Sequence, residues 1–173
     1  MMMTKRADEV AGSPSTLGIP VEQNGKKPTF IVTLRELVRT YQAFCAVDEP
    51  HIRSLGLTSP QFDVICTLGN TEGMMMHELA ARTLVTKGTL TGIVDRLEAK
   101  GLVRREVPPN NRRCFIVKLT PEGNAVFERV FPEHMLFLKE RFDQLNESEL
   151  LGINSSLQKL RSIFQPIEEA EQG

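Results

Sequence analysis

From Thr29 onward apolar residues recur at intervals of three and four. Phe30, Leu34, Leu37, Val38, Tyr41, Phe44 and Cys45 fall on one helical face, and Thr33 and Glu36 have capping-box spacing near its start. Pro50 marks a bend or break before His51 to Leu55. Thr58-Ser59-Pro60-Gln61 is a second helix start, a hydroxyl cap followed by proline in the first turn, and Phe62 to Leu68 is nearly all core. After a turn at Gly69 to Gly73 a short helix directs Leu79 and Leu84 inward. The next helix, capped by Thr86, carries Leu90, Ile93, Val94 and Leu97 on one stripe and ends at Lys100-Gly101, a cation in the last turn and a glycine just beyond. Val103 to Val107 and Cys114 to Leu119 read as strands, with Phe115, Val117 and Leu119 on one face. Pro108-Pro109-Asn110-Asn111-Arg112 joins them as a stiffened polar hairpin tip. Thr120-Pro121-Glu122 opens a helix through Val126, Phe127, Val130, Phe131, Met135, Leu138 and Phe142, with a kink at Pro132. Asn146-Glu147-Ser148-Glu149 announces the last, which carries Leu150, Ile153, Leu157, Leu160 and Phe164 at heptad-like spacing.

The pattern predicts a mainly α fold with a small β-wing: a winged helix-turn-helix head on a helical dimerisation domain. Its expected divisions are a flexible arm over 1–28, a dimerisation helix over 29–55, the winged head over 56–120, C-terminal dimerisation helices over 121–166 and a tail over 167–173. The arm holds Gly12, Pro14, Gly18, Pro20, Gly25 and Pro28 and almost no apolar periodicity. The first helix and the last two carry more apolar surface than so small a head can cover, so a second copy of the chain is the economical partner, with Leu34, Leu37, Tyr41, Leu150, Ile153, Leu157, Leu160 and Phe164 as contact residues.

Charge changes this picture from a fold into a site. The chain has a formal net charge of −1, yet Arg82 to Lys118 holds nine basic residues against three acids, Asp95, Glu98 and Glu106. That segment is +6, the residues before it −2 and those after it −5. Positive charge gathered into one stretch of a near-neutral protein is a footprint for a polyanion. The helix from Lys87 to Lys100 buries one side and leaves Lys87, Thr89, Thr91 and Arg96 on the other, and Gly88 lets a second surface come close to its first turn. A major groove is wide enough to admit such a helix. Adjacent Arg112 and Arg113 at a loop tip repel one another, whereas a minor groove would offer both a strongly negative potential.

The runs LTSPQFDVICTLGN (57–70), HELAARTLVTKGTLTGIVDRLEAKGLVRR (77–105) and NNRRCFIVKLTPEG (110–123) resemble the MarR (multiple antibiotic resistance regulator) family of winged-helix regulators over roughly residues 30–165. Two positions depart from its pattern. Asn111 stands where the wing usually has an acidic residue, and Met75 stands where the short helix is usually capped by Ser or Thr, a loss of about 1 kcal/mol. The resemblance implies a homodimer in which the first helix and the last two intertwine with a second subunit. It also implies a double-stranded inverted-repeat operator, repression, and release by a small amphipathic or aromatic effector bound between the dimer helices and the head. Phosphate contacts are expected from Lys87, Lys100, Arg112 and helix starts; base or groove contacts are expected from Thr86, Thr89, Thr91, Arg96 and Arg113, with Gly88 in the DNA-binding set as the position that permits close approach.

Other chemistry finds little support. Cys45, Cys66 and Cys114 are an odd number without metal spacing; Cys66 reads as a small core residue, and Cys114 is the thiol closest in sequence to cations. His51, His77 and His134 lack a second ligand at metal-like spacing, and no nucleophile-base-acid set or glycine-rich phosphate loop occurs. No catalytic residue, metal or cofactor is therefore expected. No apolar run is long enough to span a bilayer and the N-terminus lacks the apolar core of a secretory signal, so a cytoplasmic protein is expected. The competing reading is a winged-helix protein-interaction module whose basic face is incidental.

Overall fold

The computed structural model describes residues 28–107 and 115–165. The chain divides between Asp48 and Glu49 into two units. The described part of the first is the N-terminal portion of α1 (Thr29–Ser54). This helix begins four residues before Thr33, on backbone bonds from Ile31 and Val32 to the Pro28 carbonyl, so Thr33 is interior rather than a cap. Its hydroxyl bonds back to the Thr29 carbonyl, and Glu36 pairs with Arg39 instead of closing a capping box. Nor does Pro50 break α1, which is continuous through it. The turn after the proline is held by Ile52 in the head's core, and the helix stops at Gly56, whose φ of +86° suits a residue without Cβ.

The second unit is built around α2 (Ser59–Leu68), whose Phe62, Val64, Ile65 and Leu68 are buried. Thr58 precedes it as N-cap, and its N–H donates to the Gln61 side chain at 3.2 Å. The chain then forms β1 (Met74–Met75), α3 (Met76–Arg82), α4 (Lys87–Ala99), β2 (Val103–Glu106) and β3 (Ile116–Leu119). The antiparallel sheet has the order β1-β3-β2, with Val103 opposite Leu119 and Met74 opposite Val117. Two methionines give no alternation to read, and β1 is absent from the sequence expectation for that reason. Gly73 makes the strand possible. Its φ is +97°, and a Cβ there would lie 2.8 Å from the Val117 carbonyl oxygen. Without a hydroxyl at Met75, α3 keeps only half a capping box, the Met75 N–H donating to Glu78 at 2.9 Å.

Three sequence expectations in the head are corrected. Leu84 is 97% exposed rather than inward, because α3 ends at Arg82 and extended backbone at Thr83 takes the chain off the helical period. Phe115 precedes β3 and is exposed, so only Val117 and Leu119 share the buried face. Val107 lies beyond the end of β2, and Cys114 and the hairpin tip are outside the described residues.

The start of α5 (Pro121–Phe142) is bound tightly to the head. Thr120 donates its hydroxyl to the Gly101 carbonyl at 2.6 Å and accepts the Gly123 N–H at 3.0 Å, and its own N–H meets the Leu102 carbonyl. At Gly123 an added Cβ would sit 1.9 Å from the Leu102 carbonyl oxygen, so only glycine fits. The helix continues through Pro132 to Phe142. α6 (Glu147–Ser162) opens with a full capping box between Asn146 and Glu149 and has no buried residue. Phe164 lies beyond its end, in a turn.

Candidate nucleic-acid interface

The buried stripe of α4 is the one read from the sequence: Leu90, Ile93, Val94 and Leu97 are at most 1% exposed. They fix the rotation of the helix about its axis, and its other residues follow. Gly88, Thr89, Thr91, Arg96 and Lys100 are all exposed. Thr86 holds the N-cap position, but its hydroxyl meets that of Thr89 at 2.9 Å rather than a backbone N–H. A Cβ at Gly88 would meet nothing within 4 Å, so the fold makes no demand for glycine in this first turn. The Arg96 guanidinium lies along the helix above Gly92, 3.6 Å from where a Cβ would be. Lys100 leans toward α2, its Nζ 3.5 Å from Gln61 Oε1.

The electrostatics of the segment are sorted by its three acids. Arg105 on β2 reaches Asp95 at 2.5 Å and also Glu98, while its backbone N–H donates to Glu98 at 3.1 Å. Both carboxylates stand on α4, so this arginine ties the wing's first strand to the helix. Arg104 and Lys118, opposite one another across β2 and β3, share Glu106 at 2.8 and 3.0 Å. The bond from Lys118, helped by both positive charges, holds the Glu106 carboxyl below its usual range. Three cations thus satisfy three acids. The segment's +6 belongs to Arg82, Lys87, Arg96, Lys100, Arg112 and Arg113. Arg82, Arg96 and Lys100 have no ion pair among the described residues; Arg112 and Arg113 lie outside them. Sequence reasoning counted Arg105 with the free charge, and only the register that sets it beside α4 shows otherwise.

Away from this face, His51 and His134, far apart in the chain, meet with their Nδ1 atoms 3.0 Å apart. His51 stacks on Phe137 at 3.7 Å and Phe62 packs edge-on to His134. No sequence spacing signals the pair. Among the described residues no group of three His, Cys, Asp or Glu side chains could hold a metal ion, and no helix is long and apolar enough to cross a membrane. Burial, with Asp63 nearby, pushes the Cys66 thiol up to about 12.

The MarR family's profile matches residues 57–115. The HTH-type transcriptional repressor NicR of Pseudomonas putida is 32% identical over 124 residues, 72% of this chain and 78% of that protein. Among solved structures, BpsR of Bordetella bronchiseptica, described with the regulation of its DNA binding by 6-hydroxynicotinic acid, aligns with a TM-score of 0.66 at 29% identity, covering 75% of this chain and 98% of that one. A cysteine-to-serine variant of Escherichia coli MarR complexed with operator DNA aligns with a TM-score of 0.67 at 28% identity, covering 76% and 96%. With its buried helix stripe, three-stranded wing sheet and retained positive charge, the chain belongs to the MarR family of winged helix-turn-helix transcriptional regulators.

Proposed function

We propose that this protein is a homodimeric repressor that binds an inverted-repeat operator and is released from it by a small aromatic or amphipathic effector. The observation that carries the reading is α4: its apolar stripe is buried, its other face is polar, and the acids near it are already paired, leaving positive charge for phosphates. Thr86, Thr89, Thr91 and Arg96 would meet bases or the groove wall, Gly88 would let the DNA come close to the first turn of α4, and Lys87 and Lys100 would meet phosphates. Arg112 and Arg113, between β2 and β3 in sequence and outside the described residues, would reach a phosphate and the adjacent minor groove. The operator complex of the related MarR and the repressor function of NicR support this assignment.

The second copy follows from the helices. α6 has no buried residue, and Phe30, Val32, Leu34, Leu37, Val38, Tyr41 and Phe44 of α1 are 36–66% exposed, a surface that a monomer in water would not leave open. Leu34, Leu37 and Tyr41 on α1, with Leu150, Ile153, Leu157 and Leu160 on α6 and Phe164 beyond it, would form the dimer contact. The expected arm over 1–28 and tail over 167–173 lie, apart from Pro28, outside the described residues. Two heads related by a two-fold axis read half-sites one helical turn apart, and an effector that prefers another head spacing lowers affinity. The 6-hydroxynicotinic acid of BpsR points to aromatic acids as the effector class to try first.

Selection of the protein against a random duplex library at near-physiological salt tests the reading. Enrichment of a two-fold symmetric site is expected; retention without any motif would reject it in favour of charge-driven binding.

A further inference from the structure

The four residues from Thr83 to Thr86 connect α3 to the recognition helix, and most of their bonds are local. Thr83 donates its backbone N–H and its hydroxyl to the Leu79 carbonyl at 2.9 and 2.8 Å, which ties it back to α3. Thr86 is tied forward to Thr89. Between them Val85 packs against the core, and Leu84, 97% exposed, contributes no packing of its own. Its N–H instead donates to Asp63 Oδ2 on α2 at 2.7 Å, the sole hydrogen bond among the described residues from this turn to an element other than the two helices it joins. Asp63 is half-buried, one turn before Cys66 on the helix at the centre of the core. Burial pushes its carboxyl up and the Leu84 bond pulls it down, the burial being the larger effect. The fold therefore carries a partly desolvated carboxylate whose hydrogen bond, among the described residues, goes to the backbone that leads into α4.

Resting on the DNA-binding reading above, we propose that Asp63 is a positioning residue for operator recognition. Its carboxylate oxygen latches the Leu84 N–H to α2, so that the first turn of α4, with Thr86, Gly88 and Thr89, meets the groove at one fixed angle. It touches no DNA itself. A loosened turn still offers the same charge to phosphates but no longer aligns polar groups with base edges, so the latch governs specific binding and leaves non-specific binding alone.

The full-length chain, titrated by fluorescence anisotropy on its selected site and on a scrambled duplex, provides the test. Asp63→Ala is expected to weaken the selected site about tenfold without changing the scrambled one. Asp63→Asn keeps an acceptor oxygen and should bind within about twofold of wild type. Leu84→Pro removes the donor while altering an exposed side chain, and should lose as much as Asp63→Ala. The double variant should be no worse than either single one, since both break the same bond. Unchanged binding by Asp63→Ala, an asparagine variant as weak as the alanine one, or losses that multiply in the double variant would each overturn the latch. If Asp63→Ala does not fold, Leu84→Pro decides: selective loss supports the proposal and wild-type binding refutes it. A wild-type protein that enriches no site fails the DNA-binding reading itself, whereas enrichment with the wrong variant pattern fails only the latch.

Discussion

Three residues show how one atom more or less is felt in this head. At Gly123 a methyl group would overlap the Leu102 carbonyl, and the carbonyl belongs to the backbone linking α4 to β2, which has little room to move. Gly123→Ala is expected to cost about 1–3 kcal/mol, read as a fall in thermal midpoint, and a variant as stable as wild type would show that the junction is slack. At Cys66 a thiol pushed up to about 12 is almost wholly protonated at neutral pH. Iodoacetamide should leave it unmodified in the folded protein and label it in denaturant, with peptide mass spectrometry separating it from the other two cysteines. Asp63 gives a pH dependence of defined sign. Its carboxyl takes up a proton more readily folded than unfolded, so it penalises folding above its folded pKa. That penalty fades as pH falls through the folded pKa and is gone below its ordinary 3.8. Asp63→Asn should therefore melt above wild type at neutral pH, by a margin that shrinks as the solution is acidified over the range just above 3.8. A margin that widens instead would mean the charge is stabilising.

Among elements, the tie between β2 and α4 matters most for recognition. Arg105 joins them through Asp95 and Glu98, and its removal would leave both carboxylates on α4 uncompensated. Arg105→Ala is expected to weaken operator binding without reducing its salt dependence, because this arginine displaces no counterion from DNA. Lys100→Ala should instead lower the slope of log affinity against log salt by about one per subunit. Equal slopes for the two variants would erase the distinction between paired and available charge. The same register explains a limit of sequence reading. The buried stripe of α4 was legible in its spacing, and Thr120 and Asn146 were legible as caps; whether Arg105 was a ligand for DNA or for α4 was not, since the pairing of β2 with β3 brings no signal to a single strand. Leu84 faces outward for a related reason: it stands two residues past the end of α3, where the helical period no longer applies.

For the whole molecule, the surplus charge and the uncovered apolar faces lead to quantities that can be measured. With Arg82, Arg96 and Lys100 without an ion pair among the described residues and Lys87, Arg112 and Arg113 proposed to meet DNA, a dimer's salt slope is bounded at about −11; a steeper dependence would require the N-terminal lysines and arginine to take part. Charged substitution on the open helices, such as Leu37→Glu with Leu157→Glu, should give a monomer by analytical ultracentrifugation whose head retains its fold, as neither side chain belongs to the head's core. The monomer should lose operator binding by a large factor, since each head alone retains only its half-site contacts. Persistence of the dimer would move the interface elsewhere.

Periodicity, caps and local charge are properties of neighbouring residues, and the sequence determined them unaided: the helices, the buried stripe of α4, the polar face opposite it and the concentration of positive charge from Arg82 to Lys118. Tertiary structure decided which charges remain available, that Met74 and Met75 form a third strand against Val117 and Ile116, and that α1 passes unbroken through Pro50. It also brought His51 to His134 and Asp63 to the Leu84 backbone. Each of these depends on groups distant in the chain competing for the same partner or the same space, and the winner is set by packing geometry rather than by spacing along the sequence.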